Sequence, residues 1–228
     1  KVGEKTAAKY ADELIVLSEG TRDYFKEAYG RETVFIPNGI DVQNEKKADI
    51  ITKKYGLEKD GYILFLARIV PEKGLHYLID AFMQTDTDKK LVIAGGVSHS
   101  GEYAKQIHDM AKDDRIIFTG FVEGDELWEL YYNCRMYVLP SDVEGMPISL
   151  LEAMACGCEC LVSDIDTVKN VVGEYGYTFK KSDVNDLKNK LCEILGKQKA
   201  DKAEQIEYVK NNYSWDEITD RTLELYKK

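Results

Sequence analysis

Positive charge is what this sequence has too little of. Lysine and arginine total 31 against 41 aspartates and glutamates, a formal net charge of −10 with a pI near 5.0. Tracking a nucleic-acid backbone or an anionic membrane requires a basic face, so neither is expected as a partner. A local basic pocket for one small anion stays open. Long apolar runs are missing too: YILFLA at 62–67 is the longest type of run, far from the ~18 residues of a membrane span. No signal peptide is read at Lys1, and the chain is expected to be cytoplasmic, a piece cut from a longer protein. The five cysteines are odd in number, with three packed into ACGCEC, which fits no secreted disulfide framework. The three histidines, His76, His99 and His108, are scattered, so Cys156, Cys158 and Cys160 have no partner at ligand spacing. These thiols are expected to be buried, with no metal. A nucleophile elbow and a Ser-His-Asp order are also missing.

What is present suffices for a full core. Apolar residues make up 44% of the 228 positions, with 15 Tyr, 7 Phe and 2 Trp. That length means one large domain or two small ones, and disordered or collagen-like classes fall away. Seven short runs rich in Val, Ile, Leu and Phe recur along the chain: 14–18, 33–37, 62–67, 90–95, 115–120, 136–140 and 160–163. None alternates strictly, as expected of strands buried on both faces. Between them lie helical patterns, such as Leu75, Leu78, Ile79 and Phe82, or Leu127, Leu130 and Tyr131. The rhythm predicts an α/β fold, a Rossmann-like parallel sheet with helices on both faces. After Asp183 only helical patterns remain, the last opened by Ser214 as N-cap. A turn cluster at PNGID (37–41) marks a boundary, so residues 1–40 are expected to belong to a preceding unit.

In parallel α/β sheets ligands bind outside the carboxyl ends of the strands, and two such loops stand out. Arg68 and Lys73 flank a Pro-containing turn that opens a helix, where two cations can converge on one anion. Equally, Arg68 pairs with a nearby carboxylate and Lys73 is solvated. The second loop is SDVEGMPISLLEAMACG at 141–157. Pro147 suits a first helical turn, and Gly145 lets the backbone approach a ligand, so amides of 145–149 can point at it. Glu144 precedes the helix and Glu152 lies in it, flanked by Leu151 and Ala153. A carboxylate so placed needs hydrogen-bonding partners, which ligand hydroxyls would supply. The Gly95–Gly101 loop is neither GxGxxG nor a P-loop.

IPNGID, ARIVPEKGLHYLIDAF, LVIAGG, RIIFTGFV and above all VLPSDVEGMPISLLEAMACG resemble the donor-binding half of a retaining glycosyltransferase of GT-B fold, family 4 or group 1. The most specific part is the pair Glu144 and Glu152, with seven residues between them. The resemblance implies a nucleotide-sugar donor held by residues 41–212. Residues 1–40 would then be the tail of the acceptor-side domain and its linker, and 213–228 a helix crossing back toward that domain. By the same resemblance Arg68 and Lys73 clamp the diphosphate. Glu144, Gly145, Met146, Pro147, Ile148 and Ser149 hold the sugar and distal phosphate. Glu152 binds the ribose, and Gly120, Phe121 and Val122 lie along the base. Arg68, Lys73 and Glu144 would be catalytic, no metal or cofactor is implied, and a carbohydrate or lipid-linked acceptor would enter through the missing N-terminal domain. A role in polysaccharide assembly follows, with peripheral membrane contact allowed through that missing half. A nucleotide-sugar epimerase and a non-catalytic nucleotide-sugar-binding module are the other readings; a redox Rossmann protein lacks its fingerprint. Ala67, Gly96-Val-Ser-His and Glu159 depart from the family pattern, and Glu159 has no explanation at this level.

Overall fold

The structure, a computed structural model, describes residues 2–96 and 101–227, so the tip of the Gly95–Gly101 loop lies outside the described residues. The chain opens with α1 (Val2–Tyr10), β1 (Ile15–Val16), α2 (Glu19–Tyr29) and β2 (Val34–Phe35). These two strands pair in parallel as a sheet of their own. Then follow α3 (Ile50–Tyr55), β3 (Tyr62–Leu66), a 3-10 turn at Pro71–Lys73, α4 (Leu75–Met83), β4 (Lys90–Ala94) and α5 (Gly101–Met110). Next come β5 (Ile116–Gly120), α6 (Gly124–Asn133), β6 (Met136–Leu139), α7 (Ile148–Ala155), β7 (Cys160–Ser163), α8 (Asp166–Val172) and β8 (Tyr177–Phe179). Three helices close the chain: α9 (Val184–Leu195), α10 (Ala203–Asn212) and α11 (Trp215–Tyr226).

The second sheet is parallel throughout, with six strands in the order β5-β4-β3-β6-β7-β8. Its strands lack polar alternation for a physical reason. In β3, Tyr62 and Leu64 point into one core while Ile63 and Phe65 point into a second on the opposite face. In β6, Tyr137 and Leu139 join the first core and Met136 and Val138 the second. Helices α6, α7 and α10 cover one face, α4, α5 and α9 the other. The expected Rossmann-like fold is thus the observed one.

Two details differ from the sequence expectation. Strand β8 is an extra member, three residues long at the sheet edge, too short to leave a pattern. Ser214 occupies the N-cap position of α11, but its hydroxyl makes no capping bond.

Candidate functional site

The strand order reverses between β3 and β6, so the loops that leave them diverge from one crevice at their carboxyl ends. Close contact fixes one loop upon the other. Gly74 sits at φ +66°, and a Cβ there would stand 1.9 Å from the Pro140 carbonyl oxygen at the end of β6. The Asp142 amide donates to Glu72 O at 2.9 Å, and Tyr77 Oη donates to Asp142 at 3.2 Å. On the other side of β3, a Cβ at Gly95 would lie 1.9 Å from Ala67 O.

This juxtaposition brings Lys73 and Glu144 together. Lys73 Nζ lies 2.6 Å from Glu144 Oε1, with the two side chains 16% and 5% exposed. Ser141 Oγ donates to the same carboxylate oxygen at 2.7 Å. Glu144 Oε2 makes no hydrogen bond among the described residues. Arg68 stands exposed two residues beyond β3, and its guanidinium makes no bond or ion pair among the described residues. The pairing of Arg68 with a nearby carboxylate is therefore not observed there, and Lys73, half-buried on Glu144, is not a solvated surface lysine.

Helix α7 begins one residue later than the sequence reading placed it, with Pro147 as N-cap rather than in the first turn. The Pro147 carbonyl accepts from the Leu150 and Leu151 amides. The amides of Ile148 and Ser149 precede the helical ladder and make no hydrogen bond among the described residues. The Ser149 hydroxyl is engaged with Tyr137 Oη at 2.9 Å.

One turn further, Glu152 meets the partner it requires inside the protein. Tyr131 Oη donates to Glu152 Oε2 at 2.8 Å, leaving Oε1 without a partner among the described residues. Burial raises the Glu152 carboxyl above its ordinary range, and the Tyr131 bond only partly opposes this. On the loop after β5, Phe121 projects at 75% exposure, whereas the Val122 side chain is packed in the core. Val122 can therefore meet a ligand only through its main chain.

Beside Glu144 lies a cavity of about 390 Å³, between Ser18 and Thr21 at the start of α2 and Asp166 at the start of α8. A second, of about 640 Å³, borders Met146, Phe35 and Tyr213. Ser18, Gly20, Asp166 and Thr167 line both, and neither includes Arg68, Lys73 or Glu152. Cys134, Cys156, Cys158 and Cys160 are buried, and burial pushes the last three thiols up, away from the reactive thiolate. Among the described residues no group of three or more His, Cys, Asp or Glu stands ready for a metal ion. Ser141, Tyr131 and Asn38, which contact Glu144, Glu152 and Met146, are neighbours of the candidate residues that sequence reasoning missed. Only the turn signal of PNGID hinted at Asn38.

A family model described as glycosyl transferases group 1 matches residues 47–213. The chain belongs to that family. Among the relatives of this family member is the O-antigen chain mannosyltransferase B of Escherichia coli, 27% identical over 187 residues, covering 78% of this chain and 48% of that protein. Another is the lipopolysaccharide 1,2-N-acetylglucosaminetransferase of Salmonella typhimurium, 29% identical, covering 94% of this chain and 61% of that one. Among solved structures, Anabaena HepE in complex with UDP and glucose superposes with a TM-score of 0.89 at 22% identity, over 99% of this chain and 66% of its own. The fold is therefore that of HepE, and the chain spans about half to two-thirds of the length of these relatives. Among the described residues no helix is long and apolar enough to cross a membrane.

Proposed function

We propose that this chain is the donor-binding part of a retaining glycosyltransferase acting in polysaccharide or glycan assembly. Residues 41–212 hold a nucleotide-diphosphate sugar, residues 1–40 close the acceptor-side domain, and residues 213–228 cross back to it. The observation that carries this reading is the Lys73–Glu144 pair, 2.6 Å apart at the point where the strand order reverses. Breaking the sugar–phosphate bond builds negative charge on the leaving diphosphate. Arg68, Lys73 and the Ile148 and Ser149 amides present positive charge and donors where that charge grows, so they favour the transition state over the ground state. Lys73 does not wait idle: Glu144 holds it in place until phosphate oxygens compete for it. The unpaired Glu144 Oε2 accepts from a sugar hydroxyl, and the unpaired Glu152 Oε1 accepts from the ribose. Gly120, Phe121 and the Val122 main chain flank the base, while Gly145 and Pro147 shape the turn.

This clamp requires no metal. The relatives named for O-antigen and lipopolysaccharide support the polysaccharide role, and the UDP and glucose bound by HepE support the donor class.

The test is thermal stabilisation by UDP, GDP, ADP and dTDP, alone and as sugar conjugates, with Arg68→Ala alongside. At 100 times its dissociation constant, a ligand stabilises the fold by about 2.7 kcal/mol. One base is expected to shift the melt, and the Arg68 variant to abolish the shift. A parent chain that none of the eight ligands stabilises would refute the donor reading.

A further inference from the structure

The segment from Ile36 to Ile40 joins the two-stranded sheet to the rest of the chain, and it is held from both sides. The Ile36 amide donates to Val16 O at 3.1 Å, and the Ile40 amide to Tyr213 O at 2.7 Å. Arg221 Nη2 donates to Phe35 O at 2.7 Å, and the Trp215 ring lies 2.5 Å from where a Cβ on Gly39 would stand. Between these anchors Asn38 turns two donors toward a single residue, 108 positions away. Its main-chain N donates to Met146 Sδ at 3.1 Å and its Nδ2 to Met146 O at 3.1 Å.

Met146 stands two residues after Glu144 and two before Ile148, in the turn that carries the unpaired carboxylate oxygen and the unpaired amides. No heavy atom packs near the place a Cβ on Gly145 would take, so the turn is not wedged against a neighbour there. Among the described residues the Asn38 Nδ2 bond is the only hydrogen bond made to the main chain of residues 143–146. The Glu144 side chain is held by Lys73 and Ser141, but the path of the backbone is held by Asn38.

We infer that Asn38 is a positioning residue for the sugar end of the donor: it fixes the turn through the Met146 carbonyl and so couples the chain crossing to donor-sugar binding. The inference rests on the donor reading above. It predicts a selective defect. Arg68, Lys73 and Glu152 lie on other elements, and the turn that carries Lys73 is seated by Gly74 on the Pro140 carbonyl rather than by Asn38, so nucleotide binding survives loss of Asn38 even where Glu144 shifts, while the sugar increment does not.

The experiment titrates the parent chain, Asn38→Asp, Asn38→Ala and Arg68→Ala with four pairs of probes, UDP with UDP-glucose, GDP with GDP-mannose, ADP with ADP-glucose and dTDP with dTDP-glucose. Asn38→Asp keeps size but removes the donor and sets a carboxylate against a carbonyl; Asn38→Ala removes the donor without adding charge. Both are expected to bind the bare nucleotide within about twofold of the parent, while the affinity ratio of conjugate to bare nucleotide falls about five- to tenfold. Arg68→Ala is expected to weaken both members of a pair together. An unchanged ratio in both Asn38 variants overturns the inference, as does an equal loss for bare and conjugated nucleotide, which would mark a structural role only. A parent that binds none of the eight probes overturns the donor reading itself, and the inference with it, so the two failures are told apart by which protein shows them.

Discussion

Arg68 and Glu152, both candidate site residues, differ in what they do to the fold that carries them. Arg68 is exposed and its guanidinium makes no hydrogen bond or ion pair among the described residues, so the fold gains little from it. Arg68→Ala should leave the melting temperature unchanged and weaken nucleotide binding about ten- to a hundredfold, the worth of a charge-assisted contact; calorimetric titration beside a melt checks both halves. Glu152 instead works against stability. Its carboxyl titrates above its ordinary range because it is desolvated, so the folded state holds the proton more tightly than the unfolded state. Its contribution therefore falls as pH rises from the unfolded carboxyl pKa through the raised folded one. Glu152→Gln keeps an acceptor for Tyr131 and removes that liability. The variant should melt higher than the parent at neutral pH, by about 2–4 °C for each kcal/mol relieved. The gap should close as pH falls through the carboxylate range, and nucleotide affinity should drop. Melts across pH with and without nucleotide decide this.

Elements matter here through how closely they approach. The 3-10 turn that carries Lys73 ends at Gly74, whose left-handed backbone and missing side chain allow the turn to rest on the Pro140 carbonyl. Gly74→Ala adds a methyl group 1.9 Å from that oxygen and strains φ, so the turn must move off the end of β6. Backbone strain alone amounts to about 1–3 kcal/mol. The expected outcome is a lower denaturant midpoint together with weaker nucleotide binding, because Lys73 leaves Glu144. A variant that loses stability yet binds normally would show that the turn does not set the clamp. The same element scale explains what was legible beforehand. Helices and central strands announce themselves by periodicity and by continuous apolar runs, whereas β8 offers only Tyr-Thr-Phe at an edge.

Across the whole molecule, the two ends of the large sheet have separate duties. The carboxyl ends carry the candidate site. At the amino ends Arg135 and Glu159, just before β6 and β7, form an ion pair 6% and 2% exposed. Arg135 Nη2 also donates to Ile194 O at 2.6 Å and to Lys197 O at 2.8 Å, and the Ala200 amide donates to Glu159 Oε1 at 3.3 Å. This pair ties α9 and the chain beyond it to the sheet, which accounts for the glutamate that departs from the family pattern. Removing one partner leaves a buried charge alone, so Glu159→Gln should cost about 3–5 kcal/mol. Replacing both, Arg135→Met with Glu159→Leu, should cost less than either single change. Nucleotide affinity measured below the melting transition should stay within about twofold of the parent for each of these variants, since the pair lies at the opposite end of the strands; chemical denaturation and titration test the two claims.

The order of apolar runs and helical stripes already implied the parallel α/β sheet, because a strand buried on both faces and a helix buried on one leave different periodicities. Arg68, Lys73, Glu144 and Glu152 likewise stood out as candidates in the sequence, as charged residues placed just after strands or among leucines. The chain order did not reveal the contacts. That Lys73 meets Glu144 rather than solvent, that Tyr131 rather than a ligand first satisfies Glu152, and that Asn38 reaches Met146 across 108 positions all depend on packing. Glu159 had no reading until Arg135 was seen beside it. Local patterns record which face of an element is buried; only the folded chain determines which distant groups share that burial and so satisfy one another's charge.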